Sequence, residues 1–174
     1  MRFSRMYIMG PPGSGKTVIA KKIAEKTGIK NFDLDDAVYR ENEYKKISPK
    51  SRNKKLRKIL KDNSKWIIEG SYAHAWILPA LKKADCVVII NKKRKLIISR
   101  LIMRYLKRKI GFDKAKKGAG TINGLTKLIG YASTYPKDYY LKHTSLARKN
   151  NKRPIILRTP EEARFFVEQI ICNK

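Results

Sequence analysis

Gly10-Pro11-Pro12-Gly13-Ser14-Gly15-Lys16-Thr17 meets the pattern G-x-x-x-x-G-K-S/T in full. Each part of that pattern has a physical task. Glycines let the backbone fold so that successive amides point inward at phosphate oxygens. A helix that starts at the end of the loop adds its positive N-terminal end. Lys16 has the length to reach β- and γ-phosphates, and Thr17 offers a hydroxyl to Mg²⁺. The context fits as well: the apolar run Phe3–Met9 precedes the loop and an amphipathic segment follows it. The stretch from Gly10 to Val18 is therefore expected to hold the phosphates of ATP.

Working outward, four more short apolar runs recur at Asn31–Asp33, Trp66–Glu69, Cys86–Asn91 and Pro154–Arg158. Ile67-Ile68, Val87-Val88-Ile89-Ile90 and Ile155-Ile156-Leu157 lack strict alternation, as strands buried on both faces do. Helical patterns lie between them. Lys16 to Thr27 carries Val18, Ile19, Ala20, Ile23 and Ala24, with Gly28 as a C-terminal stop. Ser48-Pro49 and Thr159-Pro160 each pair a cap with a first-turn proline. Leu96 to Ile110 reads as a long amphipathic helix. Strands alternating with helices predict a single α/β domain over 1–174, a parallel sheet covered on both faces. Such sheets bind ligands at the carboxyl ends of their strands. The site is thus expected around Met9-Gly10, Asp33 to Asp36, Glu69-Gly70 and Asn91 to Arg94. Glycine and lysine concentrate in 111–124, and a lid is expected around 107–124.

Composition bounds the function. The 174 residues are 42% hydrophobic, enough for a core without disulfides. No run of about 18 apolar residues suggests a membrane span. The start leads straight into the loop, without room for a signal peptide, so a cytoplasmic protein is expected. Cys86 and Cys172 are then two reduced thiols. The net charge of +28 arises from 42 basic and 14 acidic residues. It suits a nucleic-acid or polyphosphate partner. A lysine-rich proteome gives the same composition, and the basic residues run evenly along the chain. In either case, salt-sensitive, non-specific binding to nucleic acid is expected.

Two groups of residues supply candidate chemistry. Asp33, Asp35 and Asp36 place three carboxylates in four residues. They suit Mg²⁺, a general base or an acceptor contact, and also a helix N-cap. Asp33 or Asp35 is expected in the chemistry and Asp36 at the cap. Glu69 ends an apolar strand beside the loop, where an acid can hold Mg²⁺ through water. Thr17, Asp33 and Glu69 are the candidate metal side. Arg100, Arg104 and Arg108 recur every four residues, roughly on one helix face. Guanidinium forks suit phosphate charge, and a solvated basic face has the same spacing.

With these residues in place, the chain resembles the P-loop kinases of small molecules, the adenylate kinase and shikimate kinase group. Within that group it is most similar to the DNA topology modulation protein (FlaR-like) family. The residues that carry the likeness are the loop, Asp33-Leu34-Asp35, Trp66-Ile67-Ile68-Glu69-Gly70-Ser71-Tyr72, Arg94/Arg100/Arg104, Tyr135-Pro136 and Ile155-Ile156-Leu157-Arg158. The resemblance implies five parallel strands ordered 2-3-1-4-5, ATP and Mg²⁺ at the loop, and an acceptor near the second and third strands. In nucleoside monophosphate kinases an arginine after the third strand grips the acceptor phosphate. Here Glu69-Gly70-Ser71-Tyr72-Ala73-His74 offers none, leaving Arg40 or His74 as substitutes.

Three readings follow. In the first, the chain transfers the γ-phosphoryl group of Mg-ATP to a nucleotide or other small metabolite. Lys16, Arg100 and Arg104 then serve the phosphates, and Asp35 contacts or activates the acceptor, with Arg40, Tyr72 and His74 near it. In the second it is a nucleic-acid-binding ATPase or regulator. In the third it binds nucleotide without catalysis. Oligomeric state and acceptor identity have no sequence signature.

Overall fold

The computed structural model describes residues 3–39, 45–112 and 121–172. The strands are β1 (Arg5–Met9), β2 (Asn31–Asp33), β3 (Trp66–Gly70), β4 (Cys86–Ile90) and β5 (Ile155–Leu157). All pairings are parallel, and the sheet order is β2-β3-β1-β4-β5, as expected. The helices are α1 (Lys16–Thr27), α2 (Leu34–Val38), α3 (Pro49–Asp62), α4 (Leu78–Lys83), α5 (Arg94–Lys109), α6 (Ile122–Lys149) and α7 (Pro160–Cys172). A 3-10 turn, Ala75–Ile77, precedes α4.

The side-chain period of two divides the sheet's neighbours into two cores. Tyr7, Met9, Trp66, Ile68, Val87 and Ile89 face one way, with Leu34, Leu56, Leu60, Ile77 and Leu81 packed over them. Met6, Ile8, Ile67, Cys86, Val88 and Ile90 face the other way, toward Ile19 and Ile23 of α1 and Phe166 and Ile170 of α7. Register decides the site. Ile8 lies opposite Glu69 on one side and Val88 on the other. Glu69 therefore shares the face that α1 covers and points beneath the start of that helix.

Both proline-led helices begin as read. The Ser48 side chain accepts from the Ser51 amide at 3.2 Å, and Thr159 Oγ1 accepts from the Glu162 amide at 3.1 Å. The capping expectation at α2 is corrected. Asp33, not Asp36, caps it: its backbone is still extended, and its Oδ1 accepts from the Asp35 amide at 2.8 Å. Asp36 already lies in the first helical turn, where its own backbone is helical and cannot play that part.

The 28-residue helix α6 has no counterpart in the sequence expectations. Gly124, Gly130 and Pro136 lie inside it, and each reads locally as a breaker. Packing overrides them. Leu125, Leu128, Ile129 and Ala132 close against Ile97 and Leu101 of α5, and Tyr135 and Ala147 are fully buried. An interior proline costs about 3 kcal/mol, while one well-buried apolar side chain contributes roughly 1.5–3 kcal/mol, so a few such contacts suffice. Of the expected lid, 107–109 complete α5 and 122–124 open α6. Residues 113–120 and Arg40 lie outside the described residues.

Candidate active site

The loop between β1 and α1 takes a shape that its glycines permit. Gly13 and Gly15 have φ of +78° and +97°, the left-handed region that other residues avoid. At Gly13 a side chain would also strike Leu101, with Cγ 3.0 Å from a Cβ built there. The loop is thus pressed against α5. Ser14 is buried, and its carbonyl receives Arg100 Nη1 at 3.4 Å.

The β3 end ties down one side of the loop. Lys16 Nζ donates to Pro11 O at 3.0 Å and to Ser71 Oγ at 3.2 Å. Ser71 Oγ in turn donates to Gly10 O at 2.7 Å. Tyr131 of α6 donates to the Ser71 carbonyl at 3.0 Å. Behind this chain, His143 is 0% exposed and its Nδ1 meets the Tyr135 hydroxyl at 2.9 Å. Burial pulls the His143 pKa down to about 4, and the nearby charge of Lys16 adds to that. The ring is therefore neutral at pH 7. Ser71 and Tyr135 entered the sequence reading only as parts of the family likeness, without a role at the site; Tyr131 and His143 had no sequence signal, and Ser71's was its position one residue beyond the Glu69-Gly70 strand end.

Lys16 and Glu69 perturb one another. Burial lowers the Lys16 pKa, while Glu69, Asp35 and Asp33 hold its charge. Glu69 is 1% exposed, and burial raises its pKa against the opposing pull of Lys16 and of the Thr17 hydroxyl. Its Oε1 is buried without a hydrogen-bond partner. An orphaned carboxylate oxygen beside a threonine hydroxyl suits a hard cation that keeps several waters. Among the described residues no group of three His, Cys, Asp or Glu side chains encloses a metal by itself. These residues would suit Mg²⁺, with Thr17 able to hold it and Glu69 and Asp33 able to take its waters.

One cavity of about 950 Å³ joins these groups. Its wall includes Lys16, Thr17, Val18, Asp33, Asp35, Glu69, Ser71, Arg100, Arg104 and Arg108. Val18 is 58% exposed toward it. Tyr72 joins through Asp35, donating to its Oδ1 at 2.6 Å. Its ring stands edge-on to Trp76 at 5.2 Å. The structure thus brings together the loop, the acidic pair, Glu69 and the arginine face. It does not bring His74 to the cavity wall: that residue is exposed ahead of the 3-10 turn. Arg94 is likewise exposed, at the start of α5.

Residues 6–100, more than half of the chain, match the ATPase family associated with various cellular activities (AAA). The chain belongs to the AAA family. The matched span runs from β1 into α5 and includes the whole phosphate loop, so the chain is a P-loop protein of a nucleotide-binding kind. No curated protein matches it. Solved structures resemble it over nearly its full length. Shikimate kinase from Bacteroides thetaiotaomicron superposes with a TM-score of 0.59 at 15% identity, over 99% of this chain and 96% of that one. Shikimate kinase from Acinetobacter baumannii, in complex with shikimate, gives 0.59 at 20% identity, over 97% and 90%. A sugar kinase from a Janibacter species gives 0.51 at 16%, over 99% and 92%. At such identities the likeness is one of fold, and that fold is the one small-molecule kinases use. No helix among the described residues is long and apolar enough to cross a membrane.

Proposed function

We propose that this AAA-family chain is a kinase: it transfers the γ-phosphoryl group of Mg-ATP to a hydroxyl of a small acceptor, a nucleotide or similar metabolite. The observation that carries this is one cavity lined by two chemically different sets of groups. One is the phosphate loop with Lys16 and Thr17. The other is Asp35, aligned by the Tyr72 hydroxyl, where a carboxylate can accept an acceptor hydroxyl's proton. A hydrolase needs only the first set. The kinase fold of the similar solved structures supports the same reading, as does the sequence likeness to the adenylate kinase group.

Each residue's task follows from charge. Phosphoryl transfer is mostly positioning and electrostatic stabilisation. Lys16 exchanges its loop carbonyl for phosphate oxygen, with Ser71 keeping it in line. Arg100 reaches the loop from α5 and, with Arg104, offsets charge spreading over the transferred group. Bound Mg²⁺ would supply further neutralisation of that charge, held through Thr17 with Glu69 and Asp33 behind it. Asp35 orients the acceptor hydroxyl.

The test is ADP release with ATP and a panel of hydroxyl acceptors, shikimate and nucleosides included, for wild type and Lys16→Ala. Turnover that requires an acceptor and vanishes in the variant supports the kinase. A second reading, a nucleic-acid-stimulated ATPase, is favoured by the charge of +28. Stimulation by DNA or RNA that survives 200 mM salt, with no acceptor effect, would establish it instead.

A further inference from the structure

Lys92 is the second residue beyond β4, on the opposite flank of β1 from Ser71. It is 5% exposed. Its ammonium makes no hydrogen bond with another described residue. A Cβ built on Gly15 would lie 4.0 Å from Lys92 Nζ and 3.7 Å from Arg100 Nη1. Two cations thus converge on one glycine of the phosphate loop, and both line the cavity. Burial and the Arg100 charge both push the Lys92 pKa down, and Glu161, on the exposed first turn of α7, only partly opposes them.

A lysine buried beside an arginine is costly to the fold. Nothing in its described surroundings offsets that cost with a hydrogen bond. Such an arrangement becomes favourable when an anion occupies the space between the two cations and the loop. The backbone of a phosphate loop cradles α- and β-phosphates, while its lysine reaches toward the γ-phosphate. Gly15 belongs to that cradle, and Lys16 turns away from Lys92, toward Ser71 on the β3 flank.

We propose that Lys92 is a nucleotide ligand: with Arg100 it grips the α/β-phosphate segment of a bound nucleoside di- or triphosphate from the β4 side of the loop. This rests on the nucleotide reading of the cavity and adds a residue to it. Lys92 secures the part of the nucleotide that stays behind as diphosphate, while Lys16 attends the part that leaves. As a point charge it holds the diphosphate without the bidentate geometry of an arginine.

The experiment is calorimetric titration of ADP into wild type, Lys92→Met and Lys92→Arg, with thermal melting of each protein without nucleotide. Methionine keeps the stem and removes the charge. The expected result is ADP binding at least tenfold weaker in Lys92→Met, and within threefold of wild type in Lys92→Arg. The melting midpoint of Lys92→Met should equal or exceed that of wild type, because a cation that burial and Arg100 both disfavour has gone. ADP affinity within twofold of wild type in Lys92→Met overturns the assignment. So does an affinity loss accompanied by a lower melting midpoint, which marks a structural lysine. Failure of wild type itself to bind ADP overturns the nucleotide reading and Lys92's role with it.

Discussion

The two strands that flank β1 end in opposite chemistry. At the end of β3 the loop meets Glu69, Ser71 and, through β2, Asp33 and Asp35. Beyond β4 it meets Lys92, Arg100 and Arg104. The acid side is also the better braced. Tyr131 fastens Ser71, Ser71 fastens Lys16, and the buried Tyr135–His143 pair lies behind them. The cationic side is carried mainly by one helix, α5, and reaches the loop with long side chains. The difference teaches how a sheet with a central phosphate loop divides its labour. The β3 flank suits a metal and a hydroxyl, which need fixed oxygen positions. The β4 flank suits diffuse phosphate charge, which tolerates flexible cations.

The largest effect should come where the flanks meet. Lys16→Ala removes the cation shared by both, and kcat/KM for acceptor phosphorylation should fall by about 10³-fold. A fall of less than tenfold would break the division, since neither flank would then depend on the loop lysine.

The bracing of the β3 flank has its own signature. The folded-state pKa of His143 lies at about 4, below the 6.5 of an unperturbed histidine. Its contribution to stability is therefore complete above pH 6.5 and is lost as pH falls from there through 4. The loss amounts to on the order of 3 kcal/mol. Denaturant unfolding at pH 7, 5.5 and 4 should show that decline in wild type and a flatter profile in His143→Gln. Equal slopes in the two proteins would remove His143 from the bracing.

Glu69→Gln sharpens the same side. Outer-shell partners of a metal typically change activity by about 10–100-fold, and kcat should fall within that range. Stability should not fall, because the carboxylate is buried and its charge is disfavoured there. A loss of folding with unchanged kcat would make Glu69 structural. The smallest effect is expected at Tyr72→Phe. Removing the hydroxyl that aligns Asp35 should raise the acceptor KM by about fivefold, with kcat within twofold.

Much of this was legible in the sequence where the signal is local. The phosphate loop is a contiguous pattern, and the apolar runs gave five strands with boundaries displaced by one or two residues at most. Strand order followed from the resemblance. Helix α6 was hidden because Gly124, Gly130 and Pro136 argue against a helix locally, and the packing against Ile97 and Leu101 that outweighs them is a tertiary fact. The cap of α2 moved from Asp36 to Asp33 because three neighbouring carboxylates look alike until the backbone shows where extension ends. Lys92 was invisible as an individual among 29 lysines. Its stretch, Asn91 to Arg94, was expected at the site, but only its burial and its approach to Gly15 distinguish it from the exposed Lys93 and Lys95 beside it.

The most direct measurement follows the phosphorus atom itself. ATP labelled at the γ-phosphate is incubated with Mg²⁺, the protein and each hydroxyl acceptor, and the products are separated. A small-molecule kinase leaves the label on the acceptor, with free phosphate at the level given by Lys16→Ala. Label that emerges only as inorganic phosphate, whichever acceptor is present, would contradict phosphoryl transfer and leave the chain a hydrolase.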